Sequence, residues 1–206
     1  MTANGAPRAA CDNPTEFRGW TLRSAQQSDA PMLYEWIMDP RVNHRWTTRG
    51  MLVPFEVFTQ RLWEDVLISV LVHPDPAGPP VAWASITSAD LHSGYASAAV
   101  VVDPAHSTAA GIGPRTVCLL LRYVFAVYPL RKVYFESPEF AVHDFRTALG
   151  ELLPVEGVLR EHLYYDGRHW DKYILAVTTS TWARYGPAYL DRLFRHYAPA
   201  MAAEPS

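Results

Sequence analysis

Cysteine is scarce in this sequence, which has only Cys11 and Cys118 among its 206 residues. Cys11 lies in a polar N-terminal stretch and Cys118 lies inside an apolar run, so a disulfide framework is not expected. The sequence also lacks a CxxC pair or a His/Cys spacing typical of zinc sites. These absences indicate a protein of a reducing compartment, the cytoplasm, without a zinc site.

Long hydrophobic runs and an excess of one charge are also missing. No apolar run approaches the roughly 20 residues needed to span a bilayer, and the N-terminal MTANGAPRAACDNP has no apolar core of a signal peptide. We expect residues 1–16 to form a disordered tail. Lysine and arginine number 18 and aspartate and glutamate 21, a net charge of −3. This balance disfavours an extended nucleic-acid-binding surface.

What is present is enough apolar sequence, 49% of the residues, for one large buried core. Hydrophobic periodicity predicts the order β-α-α-β-β-β-α-β-α-β-β-α. The predicted strands cover 17–25, 66–72, 81–88, 94–104, 131–137 and a hairpin at 156–177, and the predicted helices cover 28–39, 55–65, 114–128, 139–150 and 182–197. Helices alternate with strands only in the middle, so an α+β fold with a mixed sheet is expected. The absence of GxGxxG argues against a dinucleotide-binding fold.

A run of small residues, STAAGIG from Ser107 to Gly113, separates the strand at 94–104 from the following helix. The first N–H groups of that helix lack intrahelical partners, and the helix dipole is positive there. Glycine and alanine would let a phosphate approach this backbone closely. The run is therefore either a phosphate cradle or an ordinary tight turn.

Three stretches of the sequence resemble the GNAT superfamily of acyl-CoA-dependent N-acyltransferases. Its pyrophosphate loop, Arg/Gln-x-x-Gly-x-Gly/Ala, matches at Gly111 and Gly113, although Thr108 stands where Arg or Gln is usual. The opening TLRSAQQSDAPMLYEW and the last hairpin resemble the RimJ/RimL branch of that family. The matching hairpin residues are Glu156, Gly157, Leu159, Arg160, Gly167 and Asp171.

The resemblance implies a V-shaped mixed sheet of about seven strands, flanked by helices. The sheet would be splayed between the strands at 94–104 and 131–137. The acyltransferase domain would span residues 17–182, followed by an extra C-terminal helix and tail at 183–206. That helix would cover a sheet edge or pair with a second copy of the chain as a homodimer.

The resemblance also implies acetyl-CoA as the acyl donor and no metal. Its pyrophosphate would meet the N–H groups of residues 109–113, and its pantetheine arm would pair with the strand before them. The expected donor-binding residues are Val100, Val101, Val102, Thr108, Ala109, Ala110, Gly111, Ile112 and Gly113.

Candidate residues for proton transfer and for the acceptor follow from the same resemblance. Relatives often carry a glutamate base where this sequence has Ser97, and His143 would lie near the CoA sulfur as a proton carrier. Each of these also has an ordinary structural interpretation, as a strand residue or a surface histidine. Aromatic residues that would line an acceptor cleft, or else belong to the core, are Trp46, Trp83, Tyr95, Tyr164 and Trp170.

The activity implied is transfer of an acetyl group to a primary amine, on a small molecule or a peptide N-terminus. One alternative is a different donor, a larger acyl-CoA or an aminoacyl-tRNA, because Thr108 departs from the family pattern. The basic residues available for tRNA are Arg41, Arg45, Arg49, Arg131 and Lys132. Another alternative is a catalytically silent acyl-CoA-binding protein, because no base is obvious.

Overall fold

A computed structural model of the protein describes residues 13–106 and 111–195, with the backbone alone for 144–148. Within these residues eight strands form one mixed sheet in the order β1-β2-β3-β4-β5-β6-β8-β7. The strands are β1 (Glu16–Phe17), β2 (Trp20–Ser24), β3 (Val66–His73), β4 (Ala82–Asp90), β5 (Tyr95–Val102), β6 (Lys132–Pro138), β7 (Val155–Tyr165) and β8 (Arg168–Thr178). All neighbouring strands are antiparallel except β5 and β6, which are parallel. The sequence prediction of an α+β fold with a mixed sheet is confirmed.

Helices cover both faces of this sheet. They are α1 (Ala30–Met38), α2 (Pro40–Asn43), α3 (Phe55–Arg61), α4 (Ile112–Val127), α5 (Glu139–Leu149) and α6 (Thr179–Phe194), with short 3-10 turns at Gln27–Asp29, Pro104–His106 and Gly150–Leu152. Residues of α4, α5 and α6 share one core cluster, and residues of α1 and α3 share another. Among the helices described, none has the length and apolar character needed to cross a membrane.

The two cores follow from the alternation of side chains along the strands. Ala84, Ala96 and Ala98 face the α4 side, where Val117, Leu120, Leu121 and Val124 of α4 are fully buried. Leu71, Trp83 and Val101 face the other side and pack with Leu33, Trp36 and Ile37 of α1. Cys118 belongs to the first core, where burial raises the pKa of its thiol to about 12.

The structure differs from the predicted elements at three places. The strand predicted at 17–25 is divided by a turn at Arg18 and Gly19, whose φ angles are +49° and +82°. The predicted loop after α1 contains the short helix α2, which Pro40 begins. The last helix begins earlier than predicted, because the Thr178 hydroxyl accepts a hydrogen bond from the Thr181 N–H at 3.0 Å and caps it.

Strands β5 and β6 pair over only part of their length. Their four pairs run from Tyr95 with Lys132 to Ala98 with Phe135. Beyond that point β5 continues beside β4 alone, to Val102, and β6 continues beside β8 alone, to Pro138. The sheet therefore divides between these two strands, as the family resemblance implies, and leaves two facing backbone edges.

The beginning and the end of the described chain meet on α4. The Phe194 ring at the end of α6 lies 5.2 Å from the Phe17 ring and 5.4 Å from the Trp20 ring. Arg18 and Asp191 form an ion pair at 2.6 Å across the same contact. The Nε of Arg115, in the first turn of α4, donates a hydrogen bond to the Leu193 carbonyl at 2.9 Å. Helix α6 thus buries its apolar residues in the core of its own chain.

Candidate active site

An open cleft lies at the end of β6 that has no partner in β5. Three segments enclose it: the loop after α2, the β6–α5 junction, and the β7–β8 hairpin. The residues lining it are His44, Arg45, Trp46, Thr47, Arg49, Glu136, Ser137, Pro138, Phe140, Leu163, Tyr165 and Lys172. The cleft thus lies at the division of the sheet.

The loop after α2 is held in place from inside by Asn43. This side chain is 4% exposed, and its Nδ2 donates to the Met51 carbonyl at 3.3 Å. The Thr48 hydroxyl donates to the Asn43 carbonyl at 3.1 Å. Because a buried amide satisfied in this way is costly to displace, the loop presents its outward side chains in a fixed arrangement.

His44 is the most firmly positioned titratable side chain of the cleft. Its Nδ1 lies 2.9 Å from the Pro40 carbonyl, which only accepts, so Nδ1 carries the proton and donates it. Its ring centroid lies 5.9 Å from those of both Phe140 and Tyr165, with tilts of 24° and 28°, so the three rings form a triangular cluster. The neutral ring then has its lone pair on Nε2, where the Arg45 Nε makes one long contact of 3.4 Å. This nitrogen is able to accept a proton.

Aromatic residues form the wall beside His44. The Phe140 ring lies 5.6 Å from Tyr165 and 5.0 Å from Trp170. The Trp170 Nε1 donates to the Tyr165 carbonyl at 2.9 Å, and the Arg168 guanidinium covers the outer face of Trp170 at 3.3 Å. The wall therefore offers flat apolar surface to a ligand.

The charged side chains of the cleft differ in their partners. Lys172 forms an ion pair with Glu136. Arg49 is half-buried, and within residues 13–106 and 111–195 its side chain makes no hydrogen bond or ion pair. One cation of the cleft is therefore neutralised by the protein and another is not.

The backbone at Arg49 and Gly50 is left-handed, with φ angles of +48° and +83°. A Cβ placed on Gly50 would lie 3.2 Å from the Cε2 of Tyr165. Glycine is required here both by the backbone angle and by the close approach of the loop to the hairpin. This contact joins two walls of the cleft.

We expect Gly50→Ala to lower the free energy of unfolding by about 1–2 kcal/mol, because of its positive φ and the displacement of Tyr165. The melting temperature would fall by roughly 3–6 °C. Gly19→Ala is the matched control, since Gly19 has φ +82° and no atom within 4 Å of its added Cβ. Thermal unfolding of both variants isolates the Tyr165 contact. Equal losses would show that this contact contributes nothing.

Comparison with known proteins agrees with this architecture. No family model matches the chain, and no curated protein sequence matches it significantly. A spermidine N-acetyltransferase from Vibrio cholerae, solved with CoA and spermine, is 18% identical, with a TM-score of 0.67 over 80% of this chain and 98% of that one. A chimera of that enzyme with hSSAT is 15% identical, with a TM-score of 0.68 over 81% and 99%. A candidate acetyltransferase from T. thermophilus is 18% identical, with a TM-score of 0.66 over 88% and 96%.

The chain has the GNAT fold. At these identities the comparisons establish the fold alone. Within the GNAT fold, the division between β5 and β6 corresponds to the splay that the sequence resemblance implies. The cleft adjoins that splay on the face of the sheet that carries α1. Glu136 lines the cleft and lies two positions after Tyr134, so both are on the same face of β6. Tyr134 pairs with Ser97 on the α1 face.

The five aromatic residues proposed for the acceptor lie in different places. Of the five, only Trp46 lines the cleft. Trp83 is buried behind Trp46, with 5.5 Å between the two ring centroids, and its Nε1 donates a hydrogen bond to the Ser69 hydroxyl. Trp170 supports Phe140 from behind. Tyr95 lies at the start of β5, the end of that strand away from the division, and its ring packs against the Tyr134 ring. Tyr164 is 61% exposed on the outer face of the hairpin.

The two proton-transfer candidates do not line the cleft. Ser97 is half-buried on β5, paired with Thr87 and Tyr134 one step before the strands diverge. His143 is exposed on α5, three residues after Phe140. The structure instead places His44 in the cleft.

The expected donor-binding residues are only partly described. Val100, Val101 and Val102 lie on β5 beyond the division, where their strand has no β6 partner. Thr108, Ala109 and Ala110 lie outside the described residues. Gly111 precedes α4 with a φ of +92°, and Ile112, which begins the helix, is 6% exposed. A Cβ on Gly113 would lie 3.7 Å from Val102 Cγ2, an ordinary contact.

Sequence reasoning missed Arg49, Phe140 and Tyr165 as members of the cleft. It placed His44 in a loop on the acceptor side, as the family resemblance implies, but gave it no part in proton transfer. Tyr165 was recoverable from alternation, since it shares a strand face with the buried Leu163 whereas Tyr164 does not. No local signal marks Phe140, because it enters the cleft through the packing of α5 against the hairpin. Asp171 is positioned away from the cleft, where the Glu161 N–H and the Arg160 guanidinium hold the pKa of its carboxyl below its usual range.

Proposed function

We propose that this protein is an N-acyltransferase that moves an acyl group from a CoA thioester, acetyl-CoA, to a primary amine in a ternary complex. The observation that carries the proposal is the division of β5 from β6 beside a cleft that contains an oriented histidine. The division provides a free strand edge for the amides of a pantetheine arm. The cleft provides space for an amine next to it.

The transfer forms one bond and breaks another. The amine nitrogen attacks the thioester carbonyl carbon, the C–N bond forms and the C–S bond breaks. The proton on nitrogen passes to a base, and the departing CoA thiolate takes up a proton to leave as the thiol. An alkylamine with a pKa of about 10.4 is almost wholly protonated at neutral pH, so a proton acceptor beside the amine is needed.

His44 is the proposed proton acceptor. Its Nδ1–H is fixed by the Pro40 carbonyl, which leaves Nε2 as the basic nitrogen in the cleft. The amine would replace the long contact from Arg45. Ser97 and His143 remain alternatives for this role, and a variant series described in the Discussion separates His44 from His143.

The donor site is proposed at the N-terminus of α4 and the free edge of β5. Residues 109–113 would hold the pyrophosphate, and Val100–Val102 would pair with the pantetheine arm. The left-handed backbone of Gly111, directly before the first turn of α4, supports close approach of phosphate oxygens to the N–H groups there. The V. cholerae protein of the same fold was solved with CoA.

We also propose a family branch, a compartment and domain limits for this enzyme. The hairpin residues support the RimJ/RimL branch, whose acceptors include small amines and peptide N-termini. We infer a cytoplasmic, bacterial enzyme with a catalytic domain at 17–182, followed by a C-terminal helix and tail at 183–206. A homodimer would use another surface than the apolar face of α6, since Leu190 and Phe194 are buried within the chain.

The alternative of a tRNA donor has little support in the arrangement of basic residues. Arg131 and Lys132 begin β6, whereas Arg45 and Arg49 lie at its other end, roughly 20 Å away for a strand of this length. Lys132 is bonded to Glu156 at 2.7 Å, and Arg41 to Asp39 at 2.8 Å. The catalytically silent alternative was motivated by the lack of a base, and His44 offers one.

Isothermal titration with acetyl-CoA and with free CoA tests the proposal, followed by a screen of primary amines for thiol release. We expect binding at micromolar strength and amine-dependent release of CoA. Binding without release for any amine would favour the silent alternative. No binding of either ligand to folded protein would contradict the proposed donor.

A further inference from the structure

Arg49 is an unsatisfied cation in the wall of the cleft. It is half-buried, lines the cleft, and has no hydrogen-bonding or ionic partner within the residues described. Arginine carries its charge at every accessible pH, and withdrawing such a group from water without a partner is costly. A guanidinium placed in this way is available to bind an anion that enters the cleft.

The backbone around Arg49 adds to this argument. Its φ of +48° is uncommon for a residue with a side chain, and the following Gly50 is also left-handed. The bond from Asn43 to the Met51 carbonyl, and the single hydroxyl proton of Thr48 shared between the two oxygens of Asn43, hold the loop in that shape. Such backbone angles persist where the surroundings fix them and occur often in ligand sites.

The other groups of the cleft define the rest of the ligand. Trp46, Phe140 and Tyr165 provide flat apolar surface. Among the side chains described there, the one carboxylate, Glu136, is paired with Lys172, so this pair carries no net negative charge to attract a second ammonium group. His44 Nε2 is the site for the reacting amine.

We propose that the acceptor is a primary amine that also carries a carboxylate on an aromatic or similarly flat apolar body, with the carboxylate bound by Arg49. The planar guanidinium matches a carboxylate with two parallel hydrogen bonds. This inference rests on the proposed function in taking the cleft as the acceptor site. It assigns a substrate class that carries an anionic group, unlike the polycationic spermidine named for the V. cholerae enzyme.

The test compares probes that differ only in the carboxylate. L-phenylalanine and phenethylamine share the ring and the primary amine, L-tryptophan and tryptamine form a second pair, and spermidine represents polycations. Each is titrated calorimetrically into the full chain, with and without free CoA. The variants are Arg49→Gln, Arg49→Lys and the control Arg18→Gln. Arg18 also has a left-handed φ, +49°, and precedes a left-handed glycine, but it is paired with Asp191 away from the cleft.

We expect the wild-type protein to bind at least one amino acid about tenfold to a hundredfold more tightly than its decarboxylated partner. Arg49→Gln should abolish that preference, Arg49→Lys should keep part of it, and Arg18→Gln should keep all of it. Equal binding within both pairs, tighter binding of spermidine, or no binding of any carboxylated probe would overturn the inference. The wild-type comparison decides this even if a variant fails to fold.

Failure of the proposed function would look different. Free CoA is titrated into the same samples, so loss of the donor site appears as absence of CoA binding. A carboxylate preference that depends on Arg49 in a protein without CoA binding would leave the anion site established and the acyltransferase proposal wrong. CoA binding and amine turnover without any carboxylate preference would give the reverse result.

Discussion

Gly113→Glu is expected to lower the affinity for CoA by at least about a hundredfold. Gly113 is the second residue of α4, so the new carboxylate would lie among the N–H groups proposed to bind the pyrophosphate. Two like charges about 5 Å apart at an effective dielectric constant of about 20 repel by about 3 kcal/mol. That energy corresponds to a factor of more than a hundred in the dissociation constant. Isothermal titration with free CoA measures it.

Gly113→Ala separates charge from size in this experiment. Its Cβ would make only an ordinary contact with Val102, at 3.7 Å, and alanine favours the helix more than glycine does. Glutamate near a helix N-terminus is also compatible with helix stability. Both variants should therefore remain folded by circular dichroism. Unchanged CoA affinity in folded Gly113→Glu would return the run STAAGIG to an ordinary turn.

His44→Gln is expected to reduce kcat for amine acetylation about a hundredfold while leaving the CoA dissociation constant nearly unchanged. The range of general-base contributions sets this magnitude. Glutamine keeps a polar side chain of similar reach but removes the basic nitrogen. Turnover of the variant would then depend on amine that is already neutral. Its kcat should rise about tenfold for each pH unit below the pKa of the bound amine, more steeply than that of the wild-type protein.

His143→Ala is the matched control for this proton-transfer role. His143 is exposed on α5 and does not line the cleft, whereas His44 is fixed by Pro40 and two aromatic rings. We expect His143→Ala to retain turnover. A large loss of kcat in His143→Ala together with normal turnover in His44→Gln would reassign the proton carrier to α5. Equal turnover in the wild-type protein, His44→Gln and His143→Ala would mean that neither histidine accepts the proton.

Much of the fold was predictable because its periodic segments are long and because clear turn and helix-end residues separate them. The alternating hairpin around Asp166–Gly167 and the apolar stripe of α4 both appear where the pattern indicates. The elements that were missed are short. Helix α2 is a single turn begun by Pro40, and the turn at Arg18 and Gly19 divides a strand through two backbone angles. Such features depend on a few dihedral angles rather than on periodicity.

The candidate site was less predictable, because it is assembled from three segments distant in sequence. The division beside β5 was implied by the family resemblance, which rested on the order of elements, the glycines at the start of α4 and the last hairpin. The environment of His44 depends on Pro40 from its own loop, Phe140 from α5 and Tyr165 from the hairpin. No local sequence pattern predicts that these residues lie in contact in the folded chain. The free guanidinium of Arg49 likewise becomes evident only when its surroundings are known.

The contact between the two ends of the described chain has a consequence for folding kinetics. Arg18 and Asp191 are 173 positions apart, and Phe17 and Phe194 pack beside them. Contacts this distant close a loop that spans nearly all of the described residues, and their entropic cost precedes any gain in packing. We expect α6 to dock after the folding transition state. Phe194→Leu should therefore accelerate unfolding in stopped-flow experiments while leaving the refolding rate nearly unchanged.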